Sequence, residues 1–297
     1  LTTAYGEKLV LRIFDPDVLL RSFADLGLLG DDYQRWRGML DRPNGIVLVT
    51  GPTGSGKTTT LYSSLRQIAT DEVNVSTIED PIEMVEEHFN QTQVHPKIGL
   101  DFAAGIRTLM RQDPDIIMVG EIRDLKTAQM AVQAALTGHL VLSTVHTNDA
   151  PATVARLLDL GVPPYLLSAT LLGVMAQRLV RTLCPHCKEA GEIKAADWQQ
   201  LVAPWKVAVP QTIYRPVGCL ECRNTGYLGR QGLYEILLLS DSVKDLVGQN
   251  TSLQELRRQA MREGMRSLML SGAQKVAAGL TTQEDVMRVA TPPTSDH

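Results

Sequence analysis

The sequence predicts an α/β protein with a mostly parallel sheet covered on both sides by helices. Three observations carry that prediction. Apolar runs of strand length alternate with helix-like stretches between residues 45 and 144. A complete GxxxxGK[ST] pattern, Gly51-Pro-Thr-Gly-Ser-Gly56-Lys57-Thr58, falls between one such run and one such stretch. A further apolar run, 116–119, leads into the carboxylate Glu121, at the strand end where open α/β sheets bind ligands.

Taken in order, residues 1–40 read as a strand at 9–13 followed by loosely helical polar sequence. We expect the tail of a truncated N-terminal domain and a linker, since the chain opens on Leu1 rather than Met. Arg42-Pro-Asn-Gly45 is turn chemistry. Strands are expected at 45–50, 73–78, 116–119 and 140–144, and helices at 58–69, 102–111 and 125–136. In the second helix Phe102, Ile106, Leu109 and Met110 share one face. These elements make a core at 41–180. Within it, 151–181 reads as helix broken at Pro163-Pro164, and the apolar stretch 165–176 as a buried helix. Residues 181–230 hold all the cysteines in irregular sequence. Residues 231–297 bring a last core strand at 232–239 and a helical region, with Leu253, Leu256, Met261, Met265, Leu268 and Met269 as its apolar positions.

The chain has 297 residues, and a hydrophobic content of 44% is enough for a sizeable core. Its 29 basic and 33 acidic residues leave a net charge of −4, without the basic footprint of a nucleic-acid binder. No nucleic-acid partner is expected. No apolar run is long enough to span a bilayer, and no signal peptide opens the chain, so a cytoplasmic protein without membrane insertion is expected.

The glycine pattern carries the strongest chemistry. Gly51, Gly54 and Gly56 let a loop wrap around phosphates with its N–H groups inward, and the following helix adds its positive N-terminus. Lys57 is placed to reach β- and γ-phosphates, and the Thr58 hydroxyl to ligate Mg²⁺. Hydrolysis also needs an oriented water, and Glu121 is the candidate to polarise it. Because Gly120 stands where an acid often precedes such a glutamate, Mg²⁺ contact is expected to be mostly indirect or to come from elsewhere. Glu79-Asp-Pro-Ile-Glu83 forms a second acidic cluster, in which Glu79 is a candidate to hold a Mg²⁺-bound water; a solvated acidic turn is the alternative. Asp113 and Asp115 read as cap or turn residues. His139 and His146 flank the 140–144 strand, and His146, at its carboxyl end, is the candidate γ-phosphate sensor. Arg107 and Arg111 lie four apart on one helix face and need anions nearby, either phosphate or Asp101 and Asp113.

The four cysteines form two CxxC pairs, Cys184/Cys187 and Cys219/Cys222. Each pair can grip one edge of a tetrahedral Zn²⁺, and four thiolates close its coordination sphere. Redox chemistry is the alternative reading, but a second CxxC has no role in it and no thioredoxin-like pattern surrounds the first.

Together these pieces resemble the type II/type IV secretion ATPase superfamily. The resemblance spans nearly the whole chain. It rests on the phosphate loop, on Thr77-Ile-Glu-Asp-Pro-Ile-Glu83, on the stretch from Leu109 to Asp124, and on Thr137-Gly-His-Leu-Val-Leu-Ser-Thr-Val-His-Thr147. Gln177-Arg-Leu-Val-Arg181 running into Cys184-Pro-His-Cys187 resembles the assembly branch, whereas the retraction motors lack the tetracysteine segment. The resemblance implies a RecA-like core, homo-hexameric rings, and ATP hydrolysis with Mg²⁺. It also implies work on an inner-membrane platform protein that extrudes pilin or pseudopilin, with the ATPase peripheral at that membrane. Residue by residue, it implies ATP binding by Gly51, Pro52, Thr53, Gly54, Ser55, Gly56, Lys57, Thr58 and Thr59. It puts the acidic box on Glu79 and Glu83, with Glu83 joining Thr58 at magnesium. It puts the catalytic glutamate on Glu121 and the histidine box on His139 and His146. Phosphate-neutralising arginines match Arg12, Arg107 and Arg111, and a further family arginine would precede Leu1. A retraction motor, a DNA-linked motor of the same superfamily and a nucleotide-gated scaffold are the alternatives. The near-neutral charge and the cysteines weigh against a DNA-linked motor; Lys57, Glu79 and Glu121 together weigh against a scaffold.

Overall fold

A computed structural model of the protein describes residues 2–4, 6–9, 21–248 and 252–290. The strands are β1 (Thr2–Thr3), β2 (Gly6–Glu7), β3 (Gly45–Thr50), β4 (Val75–Glu79), β5 (Asn90–Gln93), β6 (Ile116–Val119), β7 (Leu140–Val145), β8 (Leu171–Leu183), β9 (Glu189–Gly191), β10 (Ile213–Arg215) and β11 (Tyr227–Leu238). The helices are α1 (Gly30–Leu40), α2 (Lys57–Ile68), α3 (Phe102–Leu109), α4 (Leu125–Leu136), α5 (Ala150–Asp159), α6 (Pro164–Thr170), α7 (Ala195–Val202), α8 (Asp241–Lys244), α9 (Leu253–Arg262), α10 (Leu268–Ala277) and α11 (Gln283–Val289).

A seven-stranded sheet in the order β11-β8-β3-β7-β6-β4-β5 forms the frame. Its pairings are parallel except for β11 against β8. Side chains alternate across a strand, so β3 feeds two cores. Ile46 and Leu48 pack with Ile106 of α3, Ala131 of α4 and Val154 of α5. Val47 and Val49 pack on the other face with Trp36 of α1 and with Leu61 and Leu65 of α2. Coverage on both faces is why this strand reads as a continuous apolar run. Val47, Leu48 and Val49 are each 0% exposed, and full burial contributes about 1.5–3 kcal/mol per such side chain. A charge at Leu48 would therefore break the sheet at its centre.

β3, β6 and α4 have the expected bounds, while α2, α3, β4 and β7 differ at their ends by one or two residues. One expectation is overturned. The apolar stretch 165–176 does not form one buried helix. α6 stops at Thr170, and Leu171 begins β8, which lies parallel to β3. A short apolar run has the same sequence signature in a buried strand as in a buried helix, and only the vacant place beside β3 decides between them.

β8 outruns β3. It pairs with β11 from Gly173 to Leu183, and beyond β3 its Val180, with Leu233 of β11, supports a third core. That core contains Trp198 and Leu201 of α7, Met269 and Val276 of α10, and Val286 of α11. The segment between the cysteine pairs is thus less irregular than expected, holding β9 antiparallel to β10 as well as α7. Ser252, Ser267 and Thr282 each accept a backbone N–H at the start of α9, α10 and α11, dividing the C-terminal region into three capped helices. The strand expected at 9–13 falls mainly on residues outside those described. No helix among the described residues is long and apolar enough to cross a membrane.

Candidate functional site

The phosphate loop joins β3 to α2 at the carboxyl end of the parallel strands. Gly51 takes φ +149°, and a Cβ there would lie 2.5 Å from the Gln177 carbonyl and 2.6 Å from Ser55 Oγ. Gly56 takes φ +88°, and its Cβ would lie 2.8 Å from Gln177 Nε2. Both positions therefore need glycine for conformation and for space. Gly56 is also the N-cap of α2, and no side chain caps that helix, so its first-turn amides face the loop. Ser55 Oγ is buried without a hydrogen-bond partner among the described residues. Lys57 Nζ donates to the carbonyls of Gly51 (2.8 Å) and Pro52 (3.1 Å). Thr58 and Thr59 are half-buried in the first turn of α2, while Pro52, Thr53 and Gly54 are exposed. Backbone N–H groups, a helix N-terminus and an ammonium converging on one concavity are the donor set a polyphosphate requires.

Glu121 follows β6 by two residues. One carboxylate oxygen meets Arg123 Nη2 at 2.5 Å, and the other meets His146 Nε2 at 3.3 Å. Burial holds the Lys57 ammonium below the usual lysine range, and the Glu121 carboxylate opposes that shift. Lys57, Glu121 and His146 thus converge, although they come from α2, the turn after β6 and the end of β7.

Other candidate residues have different immediate partners. Glu79 is 3% exposed and its oxygens are engaged by Thr77 Oγ1 (2.6 Å), Tyr62 Oη (2.7 Å) and Gln91 Nε2 (3.3 Å). Burial and the Glu79 carboxylate hold the Tyr62 phenol well above its usual range, so it donates. Glu79 thereby ties the end of β4 to α2. Glu83 is half-buried in the turn beyond. His139 is not brought to the phosphate loop of its own chain. It sits at the amino end of β7, its Nδ1 2.8 Å from the Ala134 carbonyl, roughly 20 Å of strand away from His146. Asp113 and Asp115 are turn residues, as expected: Asp113 takes φ 51°, and Asp115 accepts the Asn74 N–H. Asp101 does not pair with Arg107. It caps α3 through the Ala104 N–H and binds Lys126 at 2.8 Å. Arg107 and Arg111 are exposed, with no carboxylate partner among the described residues. Arg12 lies outside the described residues.

The four cysteine sulfurs lie within 4.8 Å of one another. Three of their separations are 3.9 Å (Cys184–Cys219), 3.8 Å (Cys187–Cys222) and 3.7 Å (Cys219–Cys222). A tetrahedron with Zn–S bonds of ~2.3 Å has edges of about 3.8 Å, so the donor set fits zinc. The N–H groups of Gly218, Cys219 and Gly226 donate to these sulfurs. Burial opposes a Cys222 thiolate, but the N–H donors of Cys219 and Gly226, with neighbouring thiols, outweigh it and bring that thiol to about 6.

With this geometry in place, a family model described as "Type II/IV secretion system protein" matches residues 1–288. The chain belongs to that family. It is 60% identical over 289 residues to the type IV pilus assembly ATPase TfpB of Acinetobacter baylyi, covering 97% of this chain and 49% of that protein. It is 47% identical to the type II secretion system ATPase E of Vibrio cholerae, covering 97% of this chain and 56% of that protein. It spans about half the length of these relatives. The crystal structure of the pilus retraction motor PilT with bound ADP superposes with a TM-score of 0.66 at 31% identity, covering 92% of this chain and 68% of that one.

Within this secretion-family chain, the sequence reading missed the floor of the phosphate loop. Gln177 and Arg178 of β8 provide it. Gln177 Oε1 accepts from Thr60 Oγ1 at 2.7 Å. Arg178 is 6% exposed, donates to the carbonyls of Gln177 (3.0 Å) and Asn148 (2.8 Å), and lies against Gly51. Burial lowers its affinity for a proton, and Glu235 and Asp149 oppose that shift. The available signal was Gln-Arg in the middle of an otherwise apolar run, used above only as a mark of the assembly branch.

Proposed function

We propose that this chain hydrolyses ATP and is the motor part of a machine that assembles a type IV pilus or the pseudopilus of type II secretion. The observation that carries the reading is the convergence of Glu121 and His146 on the lysine of the phosphate loop. Gly51 to Thr59 hold the nucleotide: loop amides and Lys57 take the phosphates, and Thr58 with Glu83 serves the magnesium shell. Magnesium, when bound, neutralises charge on the β- and γ-phosphates. Glu121 orients the attacking water, and His146 reports the γ-phosphate to the strand end. Glu79 sets α2 against β4. Arg12, Arg107, Arg111 and His139 belong to contacts with a neighbouring copy in a homo-hexamer, which fits the exposure of Arg107 and Arg111.

Residues 41–180 are the nucleotide core, onto which α1 of the preceding 1–40 segment packs through Trp36, Met39 and Leu40. The tetracysteine segment at 181–230 is a structural zinc unit, and 231–297 adds the last strand and the C-terminal helices. The motor works in the cytoplasm against an inner-membrane platform protein. The 60% identity to a pilus assembly ATPase favours pilus assembly over secretion. Phosphate release from Mg-ATP by the intact protein tests the activity. Glu121→Gln is expected to bind ATP and to turn over about 10²–10⁴-fold more slowly. Wild-type turnover in that variant overturns the assignment.

A further inference from the structure

Between α5 and α9 lies a cavity of about 510 Å³, lined by Asp149, Arg156, Trp205, Glu235, Arg257 and Met261. Across it, Arg257 of α9 meets Asp149 at 2.6 Å, with both side chains one-quarter exposed. Asp149 is the N-cap of α5 and accepts the Ala152 N–H at 2.8 Å. It ends the short segment 145–149, which starts at the last residue of β7 and contains His146.

That segment is pinned to the phosphate loop at several points. Thr50, the last residue of β3, donates its hydroxyl to the Val145 carbonyl at 2.9 Å and accepts the Thr147 N–H at 2.8 Å. Arg178, packed against Gly51, donates to the Asn148 carbonyl at 2.8 Å. His146 is flanked by two phosphate-loop anchors, Val145 and Thr147, and the segment runs on through Asn148 to Asp149, its anchor to the C-terminal helices. On this path Arg178 and Arg257 flank two neighbouring carboxylates, Asp149 and Glu235. Here α9 packs on α5 through Leu256 and Ala260 beside Val154 and Leu157, and across the adjoining cavity the Arg257–Asp149 pair carries its position to the N-cap of α5.

We propose that Arg257 is a positioning residue for ATP turnover: through Asp149 and the 145–149 segment it places His146 against Glu121, so the C-terminal helices govern the hydrolytic step. The proposal rests on the reading of Glu121 and His146 given above. A partly exposed ion pair contributes only about 0–1 kcal/mol to stability. A small misplacement in a catalytic constellation costs up to about 100-fold in rate. Turnover and stability therefore separate.

The test compares wild type, Arg257→Ala, Arg257→Lys, Asp149→Asn and the Arg257→Ala/Asp149→Asn double variant in the intact protein. Asparagine retains the cap of α5 while removing the charge. The readouts are kcat for ATP hydrolysis, affinity for a fluorescent ATP analogue, and melting temperature. Arg257→Ala and Asp149→Asn are each expected to lower kcat by about 10- to 100-fold. Nucleotide affinity should stay within about twofold, Arg257→Lys should recover most of the rate, and the double variant should be no slower than the worse single. Unchanged kcat in Arg257→Ala overturns the proposal. So do strictly additive losses, or a loss of kcat accompanied by an equal loss of affinity that lysine does not rescue. Glu121→Gln is run alongside: if it retains full turnover, the reading of the hydrolytic site fails, whatever Arg257 does.

Discussion

His146 Nε2 lies 3.3 Å from Glu121 Oε2, joining the end of β7 to the turn that follows β6. The contact fixes one face of the carboxylate and leaves the imidazole half exposed. His146→Ala should lower kcat by about 10²-fold, the typical cost of losing a group that positions or moves a proton. Affinity for ATP should be nearly unchanged, because the loop amides and Lys57 remain. Single-turnover hydrolysis with saturating nucleotide separates the two quantities, and a loss confined to affinity would place His146 in binding instead.

Lys57→Ala should weaken nucleotide binding itself. The side chain is the ammonium at the mouth of the loop, and its charge is already opposed by burial and favoured by Glu121. Removing a charge-assisted contact to phosphate costs about 1.5–3 kcal/mol, or roughly 10- to 100-fold in affinity. Titration with labelled ATP checks it, and equal affinity in the variant would assign the phosphates to the amides and magnesium alone.

Glu235 is buried in β11, accepts the Ala150 N–H at 2.9 Å, and is pushed up by burial from the ordinary 4.5 to about 7. Between those pH values the folded protein holds a proton that the unfolded chain has lost. Stability from this group is therefore full below about 4.5 and declines as pH rises to about 7, by on the order of 3 kcal/mol in total. Glu235→Gln keeps an acceptor for Ala150 and removes the titration. The variant's melting temperature relative to wild type should rise between pH 5 and pH 8. A difference that is flat with pH would mean that Glu235 stays ionised in the fold.

Zinc should be found at one atom per chain, held by Cys184, Cys187, Cys219 and Cys222, whose sulfurs already have tetrahedral spacing. Cys184→Ser should lose the metal. Apparent binding energies in small zinc domains are ~10–16 kcal/mol, so the pieces stapled by the site, β9, β10 and α7, should loosen first. The seven-stranded sheet has its own two cores, and nucleotide binding should survive. Elemental analysis and protease susceptibility between residues 188 and 218 report the two effects. Metal-free protein with unchanged protection would return the cysteines to the redox reading.

By itself the sequence determined what depends on neighbours along the chain. The phosphate loop is legible because strand, glycines, lysine and helix are consecutive, and φ-positive glycine conformations are local demands. β3, β6 and α4 carry their periodicities within their own spans, and the two CxxC pairs carry half a metal site each. Tertiary structure decided whatever requires two distant segments to meet. Leu171 to Ala176 became strand because β3 offered a free edge, a fact absent from their own pattern. Glu79, read as a water-holding acid, is engaged by Tyr62 of α2, and His139 lies at the far end of the strand that ends beside His146. Arg178 reaches Gly51, and Arg257 reaches Asp149 across 108 residues of chain, only because strand order sets β8 beside β3 and α9 over α5. Local conformation follows from near-neighbour sterics and burial periodicity; which polar groups pair across the fold is set by the packing of whole elements.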